Sequence, residues 1–365
     1  MEKVKEPKFT VTKKDNISLS KKALIKAIAI ILSLFVSALF LYFVTKLDPI
    51  SVYVSMFKGA FGSSRRAWIT IRDTVFLLLV AVSLTPAFKM RFWNCGAEGQ
   101  VLIGGLSTAA LMIYYGDSIS TPLLLLIMLV VSFACGALWS FLPAYFKAKY
   151  NTNETLFTLM MNYVAIQLVE FFVDFWDKKQ SHSVGIINMN TNGGWFFSIG
   201  GKQYLLNVII VLVISIIVYI YLKYSKHGFE LSVVGESEAT AEYAGINVKK
   251  TIIRTVLMSG GIAGVAGFVE VAGMSHTISK QTAGGRGFTA IIVCWLAKFN
   301  VISMAFISLL IVFLDKGASQ IASDFGLNEY ASSIITGIIL FFILGSEFFI
   351  NYQVNYHKNK EVKHD

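Results

Sequence analysis

Apolar residues in this chain collect into long continuous runs instead of alternating with polar ones. About ten runs stand out, at roughly 24–45, 67–88, 97–115, 121–144, 154–174, 204–223, 253–275, 286–299, 301–315 and 329–350. Most hold the ~20 residues that an α-helix needs to cross ~30 Å of hydrocarbon. The runs at 97–115 and 286–315 are shorter or interrupted. The pattern predicts an all-α, polytopic membrane protein with about ten transmembrane helices, some interrupted. Residues 24–350 then form one transmembrane domain between basic tails at 1–23 and 351–365. The first run is longer than the apolar region of a signal peptide and lacks a small-residue cleavage site, so it reads as a retained anchor.

Composition agrees. Of the 365 residues, 55% are hydrophobic and only 15% charged, against about 25% charged in soluble domains. The net charge of +10 sits mostly in the tails, at Lys3, Lys5, Lys8, Lys13, Lys14, Lys21, Lys22 and Lys26, and again at Lys358, Lys360 and Lys363. Basic ends belong on the cytoplasmic side. Ten crossings from a cytoplasmic N-terminus leave Lys89, Arg91, Lys147, Lys149, the stretch from Lys223 to Arg254, and Lys298 inside. They leave Asp48, Asp117, Asp174, Asp177, Asp324 and Glu329 outside. Arg65, Arg66, Lys178 and Lys179 run against the rule. The expected location is the cell membrane, with lipid around the spans and both termini cytoplasmic. A nucleic-acid partner would explain the charge but not the hydrophobic runs.

Within this frame the stretch RFWNCGAEGQ, Arg91 to Gln100, carries the most information. It sets Glu98 between Gly96 and Gly99 beside long apolar segments. An acid at membrane depth costs roughly 2.5–3.5 kcal/mol on insertion scales and normally faces a cavity or a pathway. Broken backbone in a bilayer is tolerated where protein covers it or water reaches it. A second glycine cluster, Gly284, Gly285 and Gly287 with Phe288, opens another apolar run and weakly echoes the first. Paired glycine-interrupted spans point to a central binding site in transporters. Glu270 is a second acid in an apolar run, with a pathway role or a helix-pairing role. Asn162 and Gln167 bond across helices or face a polar ligand. Trp93, Phe288 and Trp295 stack on a planar ligand or pack as ordinary membrane aromatics.

Two loops are long. The outer one, about 175–203, is rich in Asn, Gly and Ser and presents Trp195, Phe196 and Phe197 as exposed aromatics. The inner one, about 224–252, reads as short helices. In it Ser237 caps a helix whose first turn holds Glu238. Gly245 ends that helix in a left-handed cap. Ala239 and Tyr243 share one face, with Glu238 and Glu242 beside them. So short a helix needs a partner surface, and a cytoplasmic knob of this kind suits force transmission from a motor subunit. Next, Gly260, Ala263, Gly264 and Gly267 form a small-residue stripe for close helix packing. Cys95, Cys135 and Cys294 lie far apart, without metal-ligand spacing, and read as small buried residues. The chain has no phosphate-binding GxxxxGK[ST] motif and no catalytic triad or metal set. No catalytic residue, metal or bound cofactor is expected.

These motifs resemble, in order and spacing over about residues 55–320, the permease subunits of bacterial ABC importers. The similarity is greatest to the nucleoside and simple-sugar branch of the ribose and branched-chain amino acid permeases. RFWNCGAEGQ is similar to that branch's FNIGAEGQ signature, and NETLFTLMMNYVA (153–165) to its NE-x-x-x-TLMLNYIA stretch. GESEATAEYAGINVKKTI is similar to its cytoplasmic loop, while SGGIAGVAGFVEVAG and GRGFTAIIVCWLAKFN match the two motifs that follow. The resemblance implies ATP-driven nucleoside import, with simple sugars as the alternative cargo. An ion-coupled carrier using Glu98 and Glu270 is the rival from another class. The implied partners are a cytoplasmic ABC ATPase that uses the ATP, a second permease that is a paralogue, and an extracytoplasmic substrate-binding lipoprotein. Gly235, Glu236, Glu238, Ala239, Glu242, Tyr243 and Gly245 would meet the ATPase. Asn94, Glu98, Gln100, Asn162 and Phe288 would lie near the translocation path, with Glu270 added from its own context. Three departures stand out: Cys95 for the usual Ile, Asn300-Val301 for Asn-Pro, and Ser237, Glu238 and Thr240 in the loop.

Overall fold

A computed structural model describes residues 9–14, 18–177, 181–326 and 329–356. Lys3, Lys5, Lys8, Lys178, Lys179, Lys358, Lys360 and Lys363, and with them part of each predicted tail, lie outside the described residues. The chain divides into two compact units, residues 67–312 and residues 1–66 with 313–365.

The larger unit holds the ends of two glycine-broken segments and most of the helices. Its members are α3 (Ser64–Lys89, from residue 67), α4 (Ala97–Tyr115), α5 (Thr121–Tyr150), α6 (Glu154–Trp176) and α7 (Leu205–Tyr224). They continue with α8 (Lys226–Glu236), α9 (Glu238–Tyr243), α10 (Val248–Glu270), α11 (Arg286–Leu296) and the first part of α12 (Val301–Phe325). The starts of α6, α8, α9 and α10 follow the cap rule: a side-chain oxygen satisfies an N–H that the helix leaves open. Asn153 accepts from Leu156 at 3.0 Å, Ser225 from Gly228 at 2.9 Å, Ser237 from Thr240 at 3.2 Å and Asn247 from Lys250 at 3.0 Å. Gly245 follows α9 at φ +77°, with its N–H on the Glu242 carbonyl. Asn300, where the resembling family has Asn-Pro, accepts from Ser303 at 3.1 Å and starts α12.

The core of this unit is α10 packed on α4 and α5. The small-residue stripe makes the packing possible: a methyl group on Gly264 would meet the Ser132 carbonyl and the Gly136 backbone, and one on Gly267 the backbone of Val101 and Gly105. Backbones at this separation gain dispersion contacts that larger side chains would prevent. After Glu270 the helix widens into a π-type turn, Val271–Ser275.

The smaller unit contains β1 (Phe9–Lys13), α1 (Leu19–Phe40), α2 (Pro49–Phe61), α13 (Glu329–Asn351) and β2 (Tyr352–Tyr356). The two strands pair antiparallel, and Lys14 donates to the Phe349 carbonyl at 2.9 Å. The N-terminal end of α1 and the C-terminal end of α13 therefore lie together. The helix α2 is absent from the hydrophobic pattern, although Asp48 and Pro49 are a helix-start signal. Asp48 accepts from Ser51 at 2.9 Å, and Pro49 has no N–H to leave unsatisfied.

The all-α fold class holds, and each of the ten predicted runs is a helix. Their capacities differ. Among the described residues seven helices are long and apolar enough to cross a membrane. The 19 residues of α4 include Glu98, Gln100 and three glycines. At 11 residues α11 is about 16 Å long, half of a hydrocarbon core. The run predicted at 301–315 continues to Phe325. The outer-loop aromatics also need correction. Phe196 is buried and lies edge-on to Phe268, and Trp195 stacks on His276 at 3.8 Å; Phe197 alone of the three is exposed.

Candidate functional site

Between α3 and α4 the chain leaves helical geometry for residues 92–96. Asn94 donates to Ser259 Oγ at 3.3 Å, and Ser259 sits midway along α10. The break is therefore at membrane depth, where each open backbone group must find a protein partner. Asn94 Oδ1 accepts from Gly96 N–H at 3.0 Å, and its amide exchanges hydrogen bonds with that of Gln100, each 3.2 Å. From α6, Asn162 accepts from Gly99 N–H at 2.9 Å and donates to the Cys95 carbonyl at 2.9 Å. Thr158 accepts from Cys95 N–H at 3.1 Å. Asn94, Gln100 and Asn162 are buried. All three amides support the break.

Glu98 joins the two glycine clusters. Its Oε1 accepts from Gly285 N–H at 2.7 Å and its Oε2 from Gly287 N–H at 2.8 Å. These N–H groups belong to the start of α11, whose peptide dipoles place partial positive charge there. The carboxylate is buried and clamps the short helix across an interval of nearly two hundred residues. Side chains are excluded at the contact: a methyl on Gly287 would lie 2.8 Å from Glu98 Cα. Gly285 takes φ +74°, a left-handed conformation open to glycine.

Glu270 is not part of this clamp. It is buried at the end of α10, and its Oε2 has no hydrogen-bond partner among the described residues. It lies within electrostatic reach of Arg286, Arg72 and Asp73. Arg72 pairs with Asp73 at 2.8 Å, and Arg286 reaches the other Asp73 oxygen at 3.6 Å. Two arginines and two acidic side chains thus gather where α3, α10 and α11 converge. Sequence reading took Glu270 alone and missed Arg72, Asp73 and Arg286. The signal was present as two charges inside the run at 67–88 and one arginine in the second glycine cluster.

The aromatic candidates separate. Trp93 stacks on Trp295 with centroids 5.1 Å apart, and Phe88 and Phe299 complete the group. Phe288 is outside this group. It shares with Ile292 and Trp295 one partly exposed face of α11. Of the cysteines, Cys294 is buried, while Cys95 and Cys135 are partly so.

The two short helices α8 and α9 connect physically with the break. Gly235 is buried, and a methyl there would meet the Lys89 carbonyl and Met90 Cα. The α8–α9 corner thus rests on the chain that leads into Trp93 and Asn94. Glu236, Glu238, Ala239, Glu242, Tyr243 and Gly245 are exposed, Tyr243 almost completely at 96%. His227 anchors the corner from below. Its ring lies 2.6 Å from Tyr221 Oη and 3.3 Å from Thr255 Oγ1, and the Thr255 hydroxyl donates to the Thr251 carbonyl at 2.7 Å. Thr255 therefore accepts from Nε2–H, and Nδ1 accepts from Tyr221. Burial, reinforced by the Arg254 charge, pushes the imidazole below its ordinary pKa, so the ring is held neutral.

Comparison with known proteins matches residues 66–344 to the family described as branched-chain amino acid transport system / permease component. The chain is similar to the guanosine ABC transporter permease protein NupP of Bacillus subtilis (strain 168), 30% identical over 88% of this chain and 93% of NupP. It is similar to the nucleoside ABC transporter permease protein NupB of Lactococcus lactis subsp. cremoris (strain MG1363), 29% identical over 89% of this chain and 91% of NupB. The glucose ABC transporter permease protein TsgB13 of Haloferax volcanii is 25% identical over 84% of this chain and 83% of its own. A second permease of each bacterium also matches: NupQ at 24% identity (62% of this chain, 73% of NupQ) and NupC at 26% (77% and 94%). No solved structure matches the chain.

Proposed function

Since this chain belongs to the family of branched-chain amino acid transport system permease components, we propose that it is the membrane-spanning subunit of an ATP-driven importer of nucleosides. One observation carries the cargo: the likeness to a guanosine permease extends over 93% of that protein. The chain moves its substrate and does no chemistry on it; ATP is hydrolysed by a separate cytoplasmic ATPase. That ATPase docks on Glu238, Ala239, Glu242 and Tyr243. Its stroke is felt at Gly235 and passes through Lys89 and Met90 to the Trp93–Trp295 stack and the Glu98 clamp. This assignment makes the α8–α9 face cytoplasmic, and the basic charge at both ends of the chain favours cytoplasmic termini. The cell membrane is the location.

A second permease forms the other wall of the pathway. Two permeases from each of two bacteria resemble this chain, which favours a paralogue over a second copy. The exposed face of Phe288, Ile292 and Trp295 then lines the path, with Asn94, Glu98, Gln100, Asn162 and Glu270 behind it. A substrate-binding lipoprotein delivers the nucleoside from outside. Sugar import is the second reading, favoured by the glucose permease match. An ion-coupled carrier is disfavoured because both oxygens of Glu98 are already engaged by backbone N–H groups.

The test is ATP-dependent uptake of radiolabelled guanosine, uridine and glucose into vesicles that hold the partner subunits, with and without this chain. Nucleoside uptake that needs both ATP and the chain is expected. Glucose uptake alone would move the cargo to sugars, and ATP-independent uptake would remove the importer reading.

A further inference from the structure

The polar residues of α6 do not all serve the break. Gln167, Glu170, Phe171 and Asp174 recur at i, i+3, i+4 and i+7, so they form one stripe on the C-terminal half of the helix. Such a stripe facing lipid would expose two carboxylates to hydrocarbon, at several kcal/mol each. It lines instead an open cavity of about 670 Å³, bordered on the other side by Ser279, Lys280 and Gln281 of the segment that leads into α11. This volume lies in the range of small-molecule sites.

The position of the cavity follows from α6 itself. At its start Glu154 pairs with Lys147 at 3.0 Å, and Lys147 lines the same crevice as Gly235 and Glu238. The 23 residues of α6 carry the chain about 34 Å from there. The cavity is therefore at the membrane face opposite α8 and α9.

We propose that this cavity is a nucleoside-binding vestibule, the first station of the substrate on the permease after delivery. The inference rests on the nucleoside reading above. The chemistry of the wall matches an uncharged ligand that has a planar, hydrogen-bonding base and vicinal hydroxyls. Gln167 and Gln281 each offer an amide donor and acceptor to the edge of a base. Phe171 is 63% exposed and offers a face for stacking. Glu170 is held by Lys280 at 2.7 Å and Asp174 by His182 at 2.9 Å. Each carboxylate keeps lone pairs for sugar hydroxyls. The same carboxylates repel a phosphate, so nucleotides are excluded. Occupancy also has a route inward: Lys280 and Gln281 lie just ahead of Gly285, whose N–H Glu98 holds.

The test uses the assembled transporter, both permeases with the ATPase in proteoliposomes, without the binding protein. Photolabelling with 8-azidoadenosine should modify α6 or the 276–285 segment. Uridine should compete, while uridine monophosphate and glucose should not. Gln167→Leu and Phe171→Ala should each weaken labelling about tenfold, and Phe171→Trp should restore it. The same vesicles, with the binding protein and ATP then supplied, are assayed for uridine uptake. Uptake with label elsewhere, or with label indifferent to these variants, overturns the vestibule and leaves the nucleoside reading intact. Absence of any nucleoside uptake overturns both.

Discussion

Replacing Glu98 with Gln isolates the clamp between the two glycine clusters. The carboxylate accepts from Gly285 N–H at 2.7 Å and Gly287 N–H at 2.8 Å. Hydrogen bonds to a charged group contribute roughly 1.5–3 kcal/mol each, and a buried N–H left without an acceptor costs roughly 1–3 kcal/mol. Gln retains one acceptor oxygen but turns an NH₂ toward the second N–H, so one bond is lost outright. Loss of the negative charge at the start of α11 adds about 0.3–1 kcal/mol. The gross penalty is about 3 kcal/mol. Removing a charge from a buried site returns part of it, leaving about 2 kcal/mol, or roughly 30-fold in the equilibrium that keeps α11 in place. Trp295 is on α11 and stacks on Trp93, so the displacement is readable. In a background that keeps only these two tryptophans, Glu98→Gln should shift the emission and lower the unfolding midpoint in nanodiscs. ATP-dependent uptake should fall in step. Wild-type emission and stability with uptake abolished would refute the clamp and return Glu98 to direct contact with the cargo.

Three further outcomes follow from the same geometry. Gly264→Val should prevent folding, since even a methyl meets the Ser132 carbonyl and the Gly136 backbone, whereas Gly337→Ala, with open space around it, should be silent; yield of monodisperse protein after detergent extraction separates them. Asp73→Asn leaves the Arg72 and Arg286 guanidiniums without their shared counter-charge and should destabilise by roughly 3 kcal/mol. Adding Arg72→Gln should recover part of that loss, and strictly additive effects in the double-mutant cycle would break the cluster apart. The depressed pKa of His227 predicts a pH effect of definite sign. The unfolded imidazole takes up a proton near its ordinary value of 6.5 while the folded one does not, so the stabilisation is present above that pH and is lost as pH falls below it. The unfolding midpoint should drop between pH 7.5 and 5.5, and His227→Gln should flatten the slope; an equal slope in the variant would count against a neutral buried ring.

Much of this protein was legible along the chain because its causes are local. A bilayer forces backbone groups to bond within a segment, so helical spans announce themselves as apolar runs. Caps act over three residues, and Ser237, Gly245 and the small-residue stripe do what their positions foretold. The interrupted character of residues 97–115 and 286–299 was also visible, as glycines and an acid in apolar surroundings. What these groups bond to was not. Glu98 meets Gly285 and Gly287, Asn162 meets Gly99 and Cys95, and Asp73 meets Arg286, each across intervals no periodicity spans. The same holds for Trp93 against Trp295 and for the stripe of α6 opposite Lys280 and Gln281. Sequence alone determined that the chain is a bundle of membrane helices with two broken segments, since the solvent dictates that residue by residue. Only the packing of α10 on α4 and α5, and of α11 against Glu98, decided that an apparently free acid is a clamp, because a hydrogen bond depends on where the fold brings its two ends.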